Sequence, residues 1–178
     1  MLPALGEHPV TNLDVKHPTL AVILPQVDQE LKTVLMRGWW FNTFRYPLSP
    51  DAEGRIELPQ DCLDFIPDDP NVQASVRPQT GLLFNGSTLS YVWTQSVPGT
   101  ITLLLPFEDL PESAANLVFY QALVTCYLSD IGVEKELQAW SLRVTDSNAL
   151  VERDHLRNRK YSARASRRYQ NLLRARRA

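Results

Sequence analysis

Arg37-Gly38-Trp39-Trp40-Phe41-Asn42 decides how this chain folds, because a helix-period segment ends and a strand-period segment begins within these six residues. Upstream, Leu20, Ile23, Leu24, Val27, Leu31, Val34 and Leu35 recur at steps of three and four, the spacing of one buried helical stripe. Pro18 suits the first turn of that helix, which is expected to run to Arg37, with Pro25 either kinking it or marking its true start. Gly38 supplies a residue able to take positive φ just past the helix end, and Arg37 complements the negative end of the dipole. In an extended chain Trp39 and Trp40 point to opposite faces, so the pair, with Phe41, is expected to hold two layers together as core.

Downstream, residues 39 to 105 break into short runs separated by Pro, Gly, Asn and Asp. Arg55 to Leu58 and Thr88 to Thr94 alternate polar and apolar residues, which predicts half-buried strands, with Tyr91 and Trp93 on one face and Val92 on the other. Asn85-Gly86 between Leu82-Leu83-Phe84 and Leu89 to Trp93 predicts a hairpin with a type I′ turn, since that turn needs positive φ twice. A last strand is expected from Thr100 to Leu105 after Pro98-Gly99, and the acidic, proline-rich stretch Asp61 to Pro70 reads as a loop with at most one helical turn.

Helical periodicity returns at Pro111, expected at the first helical position, with Glu108, Asp109 and Glu112 complementing the dipole. Ala114, Leu117, Val118, Gln121, Val124, Thr125 and Leu128 share its face, and Gly132 ends it. A final helix from Val133 buries Leu137, Trp140, Val144 and Val151, then continues into a segment with few large apolar residues. The fold class is α+β: a helical bundle with an inserted antiparallel β-rich subdomain and a long basic C-terminal helix.

The bulk numbers narrow the function. A chain of 178 residues suits one domain, or one core with a sizeable insertion. Its longest apolar runs, such as Ile101 to Leu105, are too short to cross a membrane, and no basic region followed by an apolar one opens the chain, so neither a span nor a signal peptide is expected. Cys62 and Cys126 form no CxxC pair and have no His cluster beside them, so no metal or disulfide scaffold is expected and a reducing compartment is the default. His8 and His17, each beside a proline, read as turn or cap residues, and His155 as part of the basic helix surface. No recognisable nucleophile motif or phosphate-binding Gly-rich loop appears, so no cofactor is expected. Asp64, Asp68 and Asp69 could hold Mg²⁺ or act as paired carboxylates on a glycosidic bond, but acid-rich turns beside proline are commonplace, and a structural loop is the preferred reading.

Charge is divided. Residues 152 to 178 carry ten Lys or Arg against Glu152 and Asp154, a net +8, while residues 1 to 151 carry eight bases against eighteen acids, a net −10. At about 100° per residue, Arg153, Arg157, Lys160, Arg164, Arg167, Arg168 and Arg174 fall on one stripe. Tyr161, Ala165, Tyr169 and Leu172 line an adjacent apolar strip. A charged stripe is often only a solvated face, but like charges four residues apart repel, and that cost points to an acidic partner or to nucleic acid.

Several words in a fixed order carry a resemblance: Ala4-Leu5-Gly6-Glu7-His8-Pro9-Val10, then Arg37 to Asn42, then Gly99-Thr100-Ile101-Thr102 leading to Glu108-Asp109-Leu110-Pro111-Glu112, and finally Gly132-Val133-Glu134. Together they resemble the tail tubular protein A family of short-tailed bacteriophages, the head-to-tail adaptors or gatekeepers between portal and tail nozzle. The resemblance implies a structural virion protein without catalytic activity, assembled in the host cytoplasm into a dodecameric ring. Its implied partners are the portal protein, a nozzle protein of the tail tubular protein B type, and double-stranded DNA passing non-specifically through the channel. It also implies a helical adaptor domain of residues 1–38 and 108–178, with 152–178 as its basic helix, and a β-rich insertion of residues 39–107. The basic segment is not constant in that family, so its role as a portal-binding surface rests on physics: Arg153, Arg157, Lys160, Tyr161, Arg164, Arg167, Arg168, Tyr169, Leu172 and Arg174 would dock into an acidic groove. Gly38, Trp39, Trp40 and Phe41 would form the joint between the two parts. Two other classes compete: a virion-associated polysaccharide or peptidoglycan hydrolase, and a basic-tailed nucleic-acid-binding protein without a ring.

Overall fold

The computed structural model describes residues 1–8, 18–132 and 135–159. Three long helices, α1 (Pro18–Leu35), α2 (Glu112–Asp130) and α3 (Lys135–Asn158), flank a β-rich span. That span holds β1 (Thr43–Leu48), β2 (Cys62–Pro67), β3 (Ala74–Arg77), β4 (Leu82–Asn85) and β5 (Val97–Leu103). The α+β class read from the sequence is the class observed.

The stripe on α1 buries Leu20, Ile23, Leu31, Val34 and Leu35, but Leu24 is exposed and Val27 is half-buried. Pro25 lies inside the helix rather than at its start. Its ring removes one donor from the ladder, and both Pro25 and Ala21, whose carbonyl loses that donor, are exposed, so the cost is met by water. α2 packs against both α1 and α3. It therefore buries more than one stripe: Ala122, Leu123, Cys126 and Tyr127 join Ala114, Leu117 and Val118 in the interior, and Leu128, expected inside, is exposed. Pro111 is the residue before the helix rather than its first turn, and its carbonyl accepts the N–H groups of both Ala114 and Ala115. At the other end Gly132 takes φ +97° and its N–H donates to the Tyr127 carbonyl, as expected of a glycine terminator. α3 buries Val151 fully, with Leu137, Trp140 and Val144 half-buried.

The sheets correct several expectations. Asp61 to Pro70 is not a loop: Cys62–Pro67 is the strand β2, whose Phe65 is buried in the β core. β5 lies between β1 and β2, antiparallel to both, and begins at Val97, three residues before the expected Thr100. It ends at Leu103, after which Leu104 and Leu105 pack against the helical core. Proline inside a central strand is normally excluded, but Pro98 faces Pro47 of β1, a pairing that demands no donor from either ring.

The hairpin at Asn85-Gly86 does not form. β4 pairs with β3, a strand the sequence reading missed, and Gly86 does not take positive φ. Asn85 Oδ1 instead accepts the N–H groups of Ser87 and Thr88, and a wider loop closes through Asn85 and Ser90. Leu89 on that loop takes φ +52°. Thr88 to Thr94 and Arg55 to Leu58 contribute isolated bridges, Arg55 with Val92 and Glu57 with Leu82, because each segment changes partner along its length. The burial alternation survives without the strand: Trp93 is buried and donates its indole N–H to the Leu83 carbonyl, Tyr91 is half-buried, and Val92 is exposed.

Among the described residues, beside a small buried cluster of Leu2, Leu20, Ile23 and Cys126, two larger ones form, one of helical residues from Leu31 to Val151 and one of β residues including Leu48, Ile56, Phe65, Leu83 and Ile101. Asn42 stands at their boundary, fully buried. Its Oδ1 accepts the Trp39 N–H at 2.8 Å, and its Nδ2 donates to the Leu35 carbonyl at 3.0 Å and to the Leu103 carbonyl at 2.9 Å. One amide thus terminates α1 and ties it to the end of β5. The Trp39 indole N–H donates to the Val34 carbonyl at 2.7 Å, so the last two carbonyls of α1, which accept the Arg37 and Gly38 N–H groups of the tightened turn, each gain a side-chain donor as well.

Replacing Asn42 by Ala takes the acceptor from the buried Trp39 N–H and one donor each from the Leu35 and Leu103 carbonyls, and should lower the unfolding free energy by about 3 kcal/mol in urea titration. Asn42→Asp should cost at least as much, because it turns the donor that faces two carbonyls into an acceptor. Gly99 of β5 offers a second test. A Cβ there would lie 2.5 Å from both the Ile66 carbonyl oxygen and the Phe65 ring. Gly99→Ala should destabilise by about 1–3 kcal/mol, read calorimetrically as a Tm lower by roughly 2–12 °C. A variant that melts with the wild type would show that β2 can move away from β5 freely.

Candidate functional site

The hexapeptide that ends α1 is a compact turn rather than the start of a strand. Met36 and Arg37 continue as a tightened turn, Gly38 takes φ +72°, and the Asn42 N–H reaches the Trp39 carbonyl at 3.3 Å. Trp39 and Trp40 consequently do not point to opposite layers. Trp39 is buried in the helical cluster, and Trp40 and Phe41 pack half-buried against the same cluster. The pair was expected as core, which it is, but core of one layer only. Asn42, whose role no sequence pattern announces, makes the link between layers.

What the tryptophans touch is α3. The Trp40 N–H donates to Nδ1 of His155 at 3.1 Å, and the His155 ring lies edge-on to Trp39 with centroids 5.5 Å apart. Arg37 lies over the Trp39 ring, its guanidinium carbon 4.7 Å from the centroid. The same guanidinium donates to Asn148 Oδ1 at 2.7 Å and to Glu152 Oε1 at 3.1 Å, while Asn148 Nδ2 donates to that same Glu152 oxygen at 3.0 Å. Arg37 and Glu152 are each about half exposed, so the ion pair itself adds no more than ~1 kcal/mol. Its value is geometric, since it fixes the turn against two successive turns of α3. His155 is thus half-buried in the joint rather than part of a basic surface. Asn148 and Glu152 carried no motif, and only their four-residue spacing on one helix hinted that they act together.

Of the basic stripe, Arg153 and Arg157 lie on α3 and are exposed, Arg153 with its nitrogen 3.8 Å from Asp154. Lys160, Tyr161, Arg164, Arg167, Arg168, Tyr169, Leu172 and Arg174 fall outside the described residues, as do His17 and Ala165. On the described part of α3, Leu142, Leu150 and Leu156 are exposed in addition to these arginines.

The three aspartates do not converge on one purpose. Asp68 accepts from Arg45 at 2.6 Å, Asp69 holds the Asn71 backbone and side chain at 2.9 Å, and Asp64 is half-buried in β2. Cys62 is poorly suited to nucleophilic work: burial, and then the Asp64 carboxylate, push its thiol up to about 11. Cys126 is raised in the same direction by burial and by Glu30 and Asp130.

The tail tubular protein family model matches residues 1–161, which span every described residue. Among individual proteins, tail tubular protein A of Klebsiella phage KP34 is 29% identical over 175 residues, covering 98% of this chain and 93% of the relative. Family membership favours the structural reading over the enzymatic alternative, because this is a family of structural virion components. The long helices, the β-rich span between them and the ordered words of the sequence all belong together: the chain is a member of the tail tubular protein family, a structural component of the bacteriophage tail.

Proposed function

We propose that this tail component is the head-to-tail adaptor, a dodecameric ring between the portal and a nozzle protein of the tail tubular protein B type. Double-stranded DNA would pass through its channel without base-specific contact. In this reading residues 1–38 and 108–178 build the ring wall, and residues 39–107 project from it as the β-rich insertion. The protein assembles with its partners in the host cytoplasm and travels in the virion at the head–tail junction.

The observation that carries the reading is the division of charge. A net +8 is concentrated in residues 152–178 and a net −10 spread over residues 1–151. The helix that leads into the basic segment is held at Arg37, Trp39 and Trp40 on one side and exposes Arg153, Arg157 and Leu156. A surface that combines arginine with leucine suits an acidic groove on a protein better than a bare phosphate backbone, which needs charge alone.

Replacing Arg157, Lys160, Arg164 and Arg167 together by Glu should abolish capture by purified portal rings, with the circular dichroism of the isolated protein unchanged. Pull-down of the portal at wild-type yield would overturn the docking role. If the variant instead keeps the portal and loses salt-sensitive binding to duplex DNA, the stripe serves the channel.

A further inference from the structure

His155 occupies the point where the joint meets α3, and its protonation state is assigned from the hydrogen bond it accepts there. Because Nδ1 accepts the Trp40 N–H at 3.1 Å, that nitrogen is bare and the ring is the neutral form with its proton on Nε2. Both tryptophan rings lie against it, Trp39 edge-on at 5.5 Å and Trp40 tilted at 6.2 Å. A protonated imidazole has two donors and no acceptor, so it cannot receive the Trp40 N–H. It would instead present a second N–H to that donor inside an aromatic wedge.

We propose that His155 is a proton-operated latch: when it takes up a proton, the Trp40 amide loses its acceptor and the turn loosens from α3 at Trp40, while Arg37 still holds it to Asn148 and Glu152. The inference stands apart from the adaptor reading, since it concerns how the turn is held and not what α3 docks against.

The surrounding charges set the direction. On α3, Arg159 opposes protonation, and Asp154 lies within 3.8 Å of Arg153. On the joint, Arg37 is paired with Glu152. Burial first, and Arg159 second, hold the imidazole below its ordinary value of 6.5. The latch is therefore closed at neutral pH. As pH falls, the unfolded chain takes up its proton first, so the contribution of the closed latch is complete above the ordinary value and is lost as pH drops through the lowered one.

The test is NMR on the full-length protein between about pH 7.5 and 5, the window in which histidine titrates. The His155 Cε1–H shift reports protonation, resolved from those of His8 and His17. The hydrogen-exchange protection of the Trp40 amide, corrected for the intrinsic pH dependence of exchange, reports the latch. Trp40 protection should fall on the order of tenfold, with the midpoint at which His155 titrates. In His155→Asn, whose Oδ1 offers an acceptor near the position of Nδ1 and does not titrate, protection should stay level across the range. Constant Trp40 protection in the wild type, a midpoint displaced from that of His155, or the same loss in His155→Asn would each overturn the latch. The wild-type comparison of midpoints decides the matter even if the variant fails to fold.

Discussion

The three hydrogen bonds of the Asn42 side chain are the constraint on which the rest of the structure depends. A helix that stops must find partners for its last carbonyls, and a buried helix end cannot use water for them. Here α1 stops against the interior, and the residue that gives the Leu35 carbonyl its second donor, beside the Gly38 N–H, is the same one that holds Leu103 at the end of β5. Helix termination and layer attachment are therefore one event. Gly38 makes the turn sterically possible, but the amide of Asn42 decides where the chain goes next.

How much of this was legible in the sequence depends on whether the cause was local. The stripe of α1 and the glycine terminators at Gly38 and Gly132 are local properties, and they were read correctly apart from Leu24 and the last two residues before Gly38. Strand pairing is not local. Asn85-Gly86 carries the strongest hairpin word in the chain, yet the partner of β4 lies upstream in Ala74–Arg77, where the alternation is only four residues long. Pro67 and the neighbouring aspartates disguised β2 as a loop, because turn residues at the end of an edge strand look the same as turn residues in a turn.

The joint shows the same boundary between what is local and what is not. Its position was plain from the change of periodicity, and Trp39 was rightly assigned to core. Its partners were not, since Asn148, Glu152 and His155 lie more than a hundred residues away and reach it only because α2 carries α3 back across α1's end. An isolated histidine in a basic stretch reads as surface until a backbone N–H is found pointing at it.

β1 and β5 pair from Thr43 with Thr102 to Leu48 with Val97, so the β-rich span leaves the helices and returns to them on adjacent strands at the same rung of one ladder. Two hydrogen-bonded strands make a stalk, not a tether: they resist twisting and bending together, and pass a push at the far end of the span straight to the end of α1. Their footprint on the helices also takes in Leu63 of β2, which packs against the helical core beside Leu104 and Leu105. Residues beyond that footprint could be lengthened, shortened or exchanged among relatives while the helical packing stays as it is, which gives such a chain a part that can be re-tooled for a different neighbour without rebuilding its frame.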